Sequence, residues 1–247
     1  MKRSKADLSI VAVVIDNLEV TQRFISSIRQ YTSGSYELIL IDNNSKNKKA
    51  ISYYKKSADR YFRFETITSL AKAWNKGIEL SQGKFIAVTN NDVVVPPDWF
   101  EPLRETLMKN KKAGMVSPLT YWLIQGFFKY KILKNWNKDF VNPKPFKLQK
   151  FKEMVWGEFC VFRREALGAV GGYNEIYKKL HSEDLEIVFQ LFDHGYDVYV
   201  DPRVFVYHEG GATYKANVRS QKELDKIQKE NFELFMSRWP KYTKGWK

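Results

Sequence analysis

Three apolar runs before Asp92 each end in a cluster of Asp and Asn, and residues at helical spacing fill the gaps between them. Leu8 to Ile15 leads into Asp16-Asn17, Tyr36 to Ile41 into Asp42-Asn43-Asn44-Ser45, and Lys84 to Thr89 into Asn90-Asn91-Asp92. After Asn17, a plausible N-cap, Val20, Phe24, Ile28 and Tyr31 recur on one helical face, and a lysine-rich helix is expected to run to about Ala58. A short strand is expected near Tyr61 to Thr66. Leu70, Ala73, Trp74, Gly77 and Ile78 then form the buried face of a helix ending at Gln82-Gly83, where glycine suits the position past a helix end. Strand and helix in alternation imply a mostly parallel central sheet flanked by helices, an α/β fold. Such sheets open their ligand sites at the carboxyl ends of the strands, where these polar clusters fall. Asn and Asp also populate ordinary turns, so each cluster has a purely local explanation as well.

The second half is less regular. Tyr121 to Lys152 interleaves Trp122, Phe127, Phe128, Tyr130, Trp136, Phe140, Phe146 and Phe151 with Lys129, Lys131, Lys134, Lys138, Lys144, Lys147 and Lys150, sustaining neither period, and Pro143 and Pro145 suggest a loop or lid. Regular structure is expected again over Val155 to Phe162. Ser182 introduces a helix with Leu185, Val188, Phe189 and Phe192 inward, and Val198 to Val200 and Val204 to Tyr207 read as two closing strands. A charged amphipathic helix from about Ala216 to Trp239 carries Leu224, Ile227, Phe232, Leu234 and Phe235. The expected organisation is one domain over 1–215 with a basic aromatic insert near 121–152, followed by a helical tail over 216–247. No internal repeat is present.

With 44% hydrophobic residues over 247 positions the chain can bury a full core. No apolar run approaches the roughly 20 residues that span a bilayer, and Met1 to Lys5 lacks a signal peptide's apolar stretch. One cysteine, Cys160, rules out a disulfide framework. The expected location is therefore cytoplasmic, with peripheral membrane contact as a further expectation, because interfacial binding also uses Lys with Trp and Phe. A net charge of +13 with 15% aromatic residues points to an acidic partner: nucleic acid, anionic lipid or a phosphate-rich polymer. The turn after the first strand has no G-x-G-x-x-G and the chain has no G-x-x-x-x-G-K-[ST], which argues against dehydrogenases and P-loop NTPases.

Taken in order, several motifs resemble those of the family 2 glycosyltransferases, inverting enzymes with the GT-A fold. Ser9-Ile10-Val11-Ala12-Val13 is similar to the family's first strand, and Leu40-Ile41-Asp42-Asn43-Asn44-Ser45 to its second strand and D-N-x-S turn. Ala73-Trp74-Asn75-Lys76-Gly77 resembles the A-x-N-x-G helix, and Asn90-Asn91-Asp92 stands in the place of the D-x-D metal motif, with Asn where the pattern often has Asp. Trp156-Gly157-Glu158 with the following strand, and Gly171-Gly172-Tyr173-Asn174-Glu175, are similar to the acceptor side. His181-Ser182-Glu183-Asp184 matches the E-D motif, and Tyr207-His208-Glu209 the histidine near the metal or diphosphate.

The resemblance implies nucleotide-sugar binding by Asp42, Asn44, Asn75, Asn90, Asn91 and Asp92, and catalysis by Asp184 with Glu183. It implies Mn²⁺ or Mg²⁺ at Asp92 and His208, and acceptor contacts at Trp156, Gly157, Glu158 and Tyr173. Asp184 as base agrees with its place at a helix N-terminus, where the macrodipole favours the ionised carboxylate, although acids in a first turn are also common as simple dipole partners. The donor is expected to be a nucleotide sugar, with UDP the nucleotide of choice even though Ile15-Asp16 replaces the family's Tyr-Asn. The acceptor is expected to be anionic: a nucleic acid base, a cell-wall polymer or a lipid-linked glycan. The alternative is a non-catalytic nucleic-acid or anionic-polymer binding protein on a GT-A scaffold, in which the insert stacks bases and its lysines track phosphates. His181 and His194 carry no comparable pattern.

Overall fold

The computed structural model describes residues 6–120, 144–148, 155, 157–210 and 220–244. Elements β1 (Leu8–Val14), α1 (Leu18–Tyr31), β2 (Tyr36–Asp42), α2 (Lys48–Ser57), β3 (Arg60–Arg63), α3 (Leu70–Leu80) and β4 (Phe85–Asn90) alternate as the apolar pattern requires. They are followed by β5 (Val93–Val94), α4 (Phe100–Lys109), β6 (Ala113–Thr120), β7 (Phe146–Lys147), β8 (Phe159–Arg163) and α5 (Arg164–Val170). The chain closes with α6 (Glu183–Asp193), β9 (Asp197–His208), α7 (Gln221–Arg238) and α8 (Pro240–Thr243).

Among the described residues the strands form one mixed sheet in the order β3-β2-β1-β4-β8-β6-β9-β5, with β7 also on β9. The first four pair in parallel. β8 then enters antiparallel between β4 and β6, β9 runs parallel to β6, and β5 pairs antiparallel with the end of β9. Successive residues of β1 serve opposite faces, as the strand period demands. Val11 and Val13 pack under Trp74 of α3 and Ile187 and Val188 of α6. Ile10, Ala12 and Val14 lie among Phe24 of α1, Tyr54 of α2 and Leu103 of α4. Both faces are covered, which is why the strands read as continuous apolar runs.

Several boundaries differ from the sequence reading for physical reasons. The strand expected over Val155 to Phe162 begins at Phe159, because Gly157 and Glu158 form a turn. The two closing strands are one strand, β9, since Asp201 in its middle is fully buried and accepts from Thr106 Oγ1 at 2.6 Å and Arg203 Nη2 at 2.7 Å. Those bonds offset the cost of a polar interruption, and a register shift between Pro118 and Leu119 of β6 absorbs the extra residues. Gly83 is not a left-handed helix terminator. A Cβ there would fall 2.5 Å from Ser9 N, and its own N–H donates to Ser9 Oγ at 2.7 Å, so glycine is needed for close approach to β1. Asn17 stands at the N-cap of α1 in a left-handed conformation, φ 42°, without a side-chain capping bond. In α7, Leu224, Ile227 and Phe235 are buried as expected, whereas Phe232 and Leu234 are exposed. Most of the basic insert lies outside the described residues.

Candidate active site

The carboxyl ends of β1, β2 and β4 carry the polar clusters. At the end of β2, Asp42 is fully buried: Oδ1 accepts from Ser45 N at 2.7 Å, Oδ2 from Tyr61 OH at 2.7 Å, and Arg63 Nε lies 3.5 Å away. Burial and this carboxylate hold the Tyr61 hydroxyl far above its usual range. Asn44, at φ 72°, accepts from Lys46 Nζ at 3.0 Å and Arg63 Nη2 at 3.2 Å. The turn after β1 is stitched to the same segment. Asp16 Oδ1 accepts from Lys46 N and Asn47 N at 2.8 Å each, and the Asp16 N–H donates to Ser45 Oγ at 2.9 Å. Asn75 of α3 is likewise turned inward, giving Nδ2 to Tyr173 O at 2.8 Å and accepting from Tyr173 N at 2.8 Å. Asn91 donates to Thr21 Oγ1 at 2.9 Å. In this conformation Asp42, Asn75 and Asn91 direct these bonds to the protein itself, while the Arg63 side chain is about one-third exposed.

The metal-motif residues are arranged differently. β5 pairs with β9 in the register Val93 to His208, which sets Asp92 beside the histidine. His208 Nε2 lies 3.0 Å from Asp92 Oδ1 and 3.5 Å from Asn90 Nδ2. Burial opposes a charge on His208, but the Asp92 hydrogen bond and the carboxylates of Asp92, Glu158 and Glu209 outweigh it, so its pKa is raised. His208 Nδ1 is buried with no hydrogen-bond partner among the described residues. One carboxylate and one imidazole suit Mn²⁺, and Mg²⁺ and Mn²⁺ at nucleotide sites take much of their coordination from phosphate and water. The donor set therefore fits a divalent cation held jointly with a diphosphate. Among the described residues no group of three or more His, Cys, Asp or Glu forms a metal cluster.

Two more acids, Glu183 and Asp184, stand in the first turn of α6. Asp184 is half-buried, with Oδ2 accepting from Gly157 N at 3.0 Å and Oδ1 from Leu185 N at 2.9 Å. Gly157 has no alternative: a Cβ would lie 2.5 Å from Asp184 Cβ. Its neighbour Glu183 is sealed in, and burial, with the adjacent Asp184 charge, pushes its pKa up to about 8. The pair thus separates into a half-buried carboxylate and a sealed one whose protonated form burial favours. Glu158, buried and bonded to Thr120 Oγ1, is raised by burial and lies within electrostatic reach of both His208 and Asp184.

A family model for Glycosyl transferase family 2 matches residues 9–171. The chain belongs to that family. It is 24% identical to the uncharacterised protein y4gI of Sinorhizobium fredii over 90% of this chain and 27% of that protein. Among solved structures it is similar to GalNAc-T7 with UDP, GalNAc and Mn²⁺, at TM-score 0.67 and 17% identity, covering 98% of this chain and 52% of that one. It is also similar to the mannosyltransferase PcManGT of Pyrobaculum calidifontis in complex with GDP-Man and Mn²⁺, at TM-score 0.70 and 14% identity, covering 97% and 65%. The chain therefore spans 27% of the curated relative and 52% and 65% of these two chains. At these identities the structures establish the GT-A fold.

Of the residues that family resemblance set on the acceptor side, Gly157 and Glu158 line up with Asp184, while Trp156 lies outside the described residues. Tyr173 is core: its ring packs 4.9 Å from Trp74 and 6.1 Å from Phe162, and its hydroxyl is buried without a hydrogen-bond partner among the described residues. Sequence reasoning missed Thr120, Tyr61 and Arg63, which are ordinary strand residues until their partners are known. It also passed over His181, whose Nε2 lies 2.9 Å from the Gln228 amide and whose pKa is lowered, burial outweighing the Asp184 charge. His194 merely meets Gln190 O at the end of α6.

Proposed function

We propose that the chain is a metal-dependent inverting glycosyltransferase that moves a sugar from a nucleotide-sugar donor to an acceptor hydroxyl. The observation that carries this reading is the charge gathered around Glu158: His208, paired with Asp92, and Asp184, held by the neighbouring Gly157 N–H, both lie within its electrostatic reach, and its carbonyl accepts from Asn90 N at 3.0 Å. A donor diphosphate and an acceptor hydroxyl need groups of those two kinds at one site. Asp92 and His208 would hold the cation, which supplies Lewis-acid stabilisation of charge on the departing diphosphate. Asp184, fixed by Gly157 N and Leu185 N, takes the proton of the acceptor hydroxyl as that oxygen bonds to the anomeric carbon. The bond from that carbon to the diphosphate oxygen breaks, and its electron pair leaves with the nucleotide. A single displacement inverts the anomeric configuration. Glu183 is sealed, and burial favours its protonated form, which leaves proton abstraction to Asp184.

The two similar structures hold UDP and GDP-Man, so UDP- and GDP-sugars are the donors to try first. A panel of these incubated with and without Mn²⁺ tests the reading: hydrolysis of at least one donor, dependent on the ion, is expected, and a panel without turnover or metal-dependent binding defeats it. The acceptor we infer to be anionic, supported by the charge of +13. Nucleic acid, wall polymer and lipid-linked glycan share that chemistry, and the last brings peripheral membrane contact. Among the described residues no helix is long and apolar enough to cross a membrane. Neutralising Lys129, Lys131 and Lys134, which lie outside the described residues, should weaken acceptor use and flatten its salt dependence while donor hydrolysis holds. Parallel loss of both would refute an acceptor role for those lysines.

A further inference from the structure

The buried stripe of α7 runs Leu224, Ile227, Asn231, Phe235, so an amide occupies a place that helical spacing assigns to an apolar side chain. Asn231 is 2% exposed. A buried amide is costly unless bonded, and this one is bonded fully. Its Nδ2 donates to Lys178 O at 2.8 Å, Leu180 O at 2.8 Å and His181 O at 3.3 Å, and its Oδ1 accepts from Lys178 N at 3.1 Å.

The segment it grips has no regular pairing of its own. Lys179, His181 and Ser182 are left-handed, with φ of 52°, 75° and 75°, a conformation that costs non-glycine residues about 1 kcal/mol or more each unless the surroundings fix it. That segment is the entry to α6. Ser182 makes no side-chain capping bond, so the start of the helix is set by the backbone before it. On the other side of the start, Arg238 of the same α7 pairs with fully buried Glu186 at 2.9 Å, and Phe235 packs 5.2 Å from Phe189. Helix α7 therefore holds α6 immediately upstream and downstream of Glu183-Asp184. The hydrogen bonds of the Asp184 carboxylate itself go to Gly157 and Leu185.

We propose that Asn231 is a positioning residue for Asp184, acting through the 178–181 backbone to keep that carboxylate against Gly157. The inference rests on Asp184 being the base. Displacement of a reacting group by about 1 Å can cost a hundredfold in rate without changing binding.

The test uses Asn231→Ala and Asn231→Asp in the full chain, each made in the wild-type and Asp184→Asn backgrounds. Asn231→Asp keeps the shape and the oxygen facing Lys178 N but removes both N–H donors. Readouts are folding by circular dichroism, calorimetric binding of UDP and GDP with Mn²⁺, and hydrolysis of the fastest donor among the UDP-sugars and GDP-mannose. Folded variants should bind nucleotide within about twofold of wild type while kcat falls about 10- to 100-fold. In the Asp184→Asn background the same substitutions should remove nothing further. A folded variant with kcat near wild type, an equal loss in both backgrounds, or failure of both variants to fold would overturn the positioning role. Near-normal turnover by Asp184→Asn alone would instead remove the base assignment on which the inference stands.

Discussion

Two groups of Asp and Asn residues stand at the same end of one sheet and are used in opposite ways. Around β2, Asp42, Asn44 and Asp16 are consumed by turns, by Tyr61 and by Arg63. Around β5 and α6, Asp92 sits against a histidine and half-buried Asp184 against a glycine N–H, with the acid Glu158 within electrostatic reach of that histidine and of Asp184. The first arrangement satisfies its charges locally and so fixes two loops together. The second brings residues distant in sequence to one place and leaves chemistry for a ligand to complete. Residue type alone does not separate the two; the identity of the partners does.

The comparison breaks most sharply at Asp184. Asp184→Asn should lower transfer by about 10²- to 10⁴-fold with nucleotide binding intact, because the amide cannot accept a proton. Single-turnover assays near the wild-type rate would end its assignment. Gly157→Ala comes next: its new Cβ must displace Asp184, so a loss of about 10- to 100-fold in kcat with unchanged donor affinity is expected, measured by kinetics beside calorimetry.

Asp92→Ala and Asp42→Ala then test the division directly. The first should weaken metal-dependent nucleotide binding about tenfold or more with little change in melting temperature. The second should cost about 1–3 kcal/mol of stability by leaving Tyr61 and partly exposed Arg63 without their carboxylate. If Asp42→Ala folds normally and loses nucleotide affinity instead, Asp42 reads the base after all and the contrast between the two regions fails.

The smallest effect belongs to Glu183. Its folded pKa, about 8, lies above the ordinary 4.5, so the folded state holds the proton more tightly than the unfolded chain. Stability from this group is complete at low pH and declines as pH rises through that interval. Denaturant melts of wild type and Glu183→Gln across that range should diverge in slope, the variant being flatter. Parallel curves would show that Glu183 ionises freely.

The first half of the fold was legible because alternating apolar runs and helical faces have one solution, a parallel sheet covered on both sides. The element β8 was legible but its place was not, since an antiparallel strand inserted between two others carries no local mark of its neighbours. Nor was the unity of β9, which depends on Arg203 and Thr106 satisfying Asp201. Motif order singled out Asp92, Asp184, Gly157 and His208, and the fold pairs Asp92 with His208 and Asp184 with Gly157. That order could not distinguish sealed Glu183 from half-buried Asp184, or see that Tyr61 and Arg63 already occupy Asp42. Asn231 did leave a trace, a polar residue at the fourth position after Ile227 and before Phe235, where the stripe calls for a hydrophobic one.

The register Val93 to His208 joins positions more than a hundred residues apart. Closure of such a loop is slow compared with local pairing, so the β1–β4 half can condense during synthesis while Asp92 still lacks its histidine. A chain emerging at the ribosome would acquire a folded sheet before it could grip a cation. Metal capture would then report on arrival of the last strand, and its time course would serve as a clock for the final stage of folding.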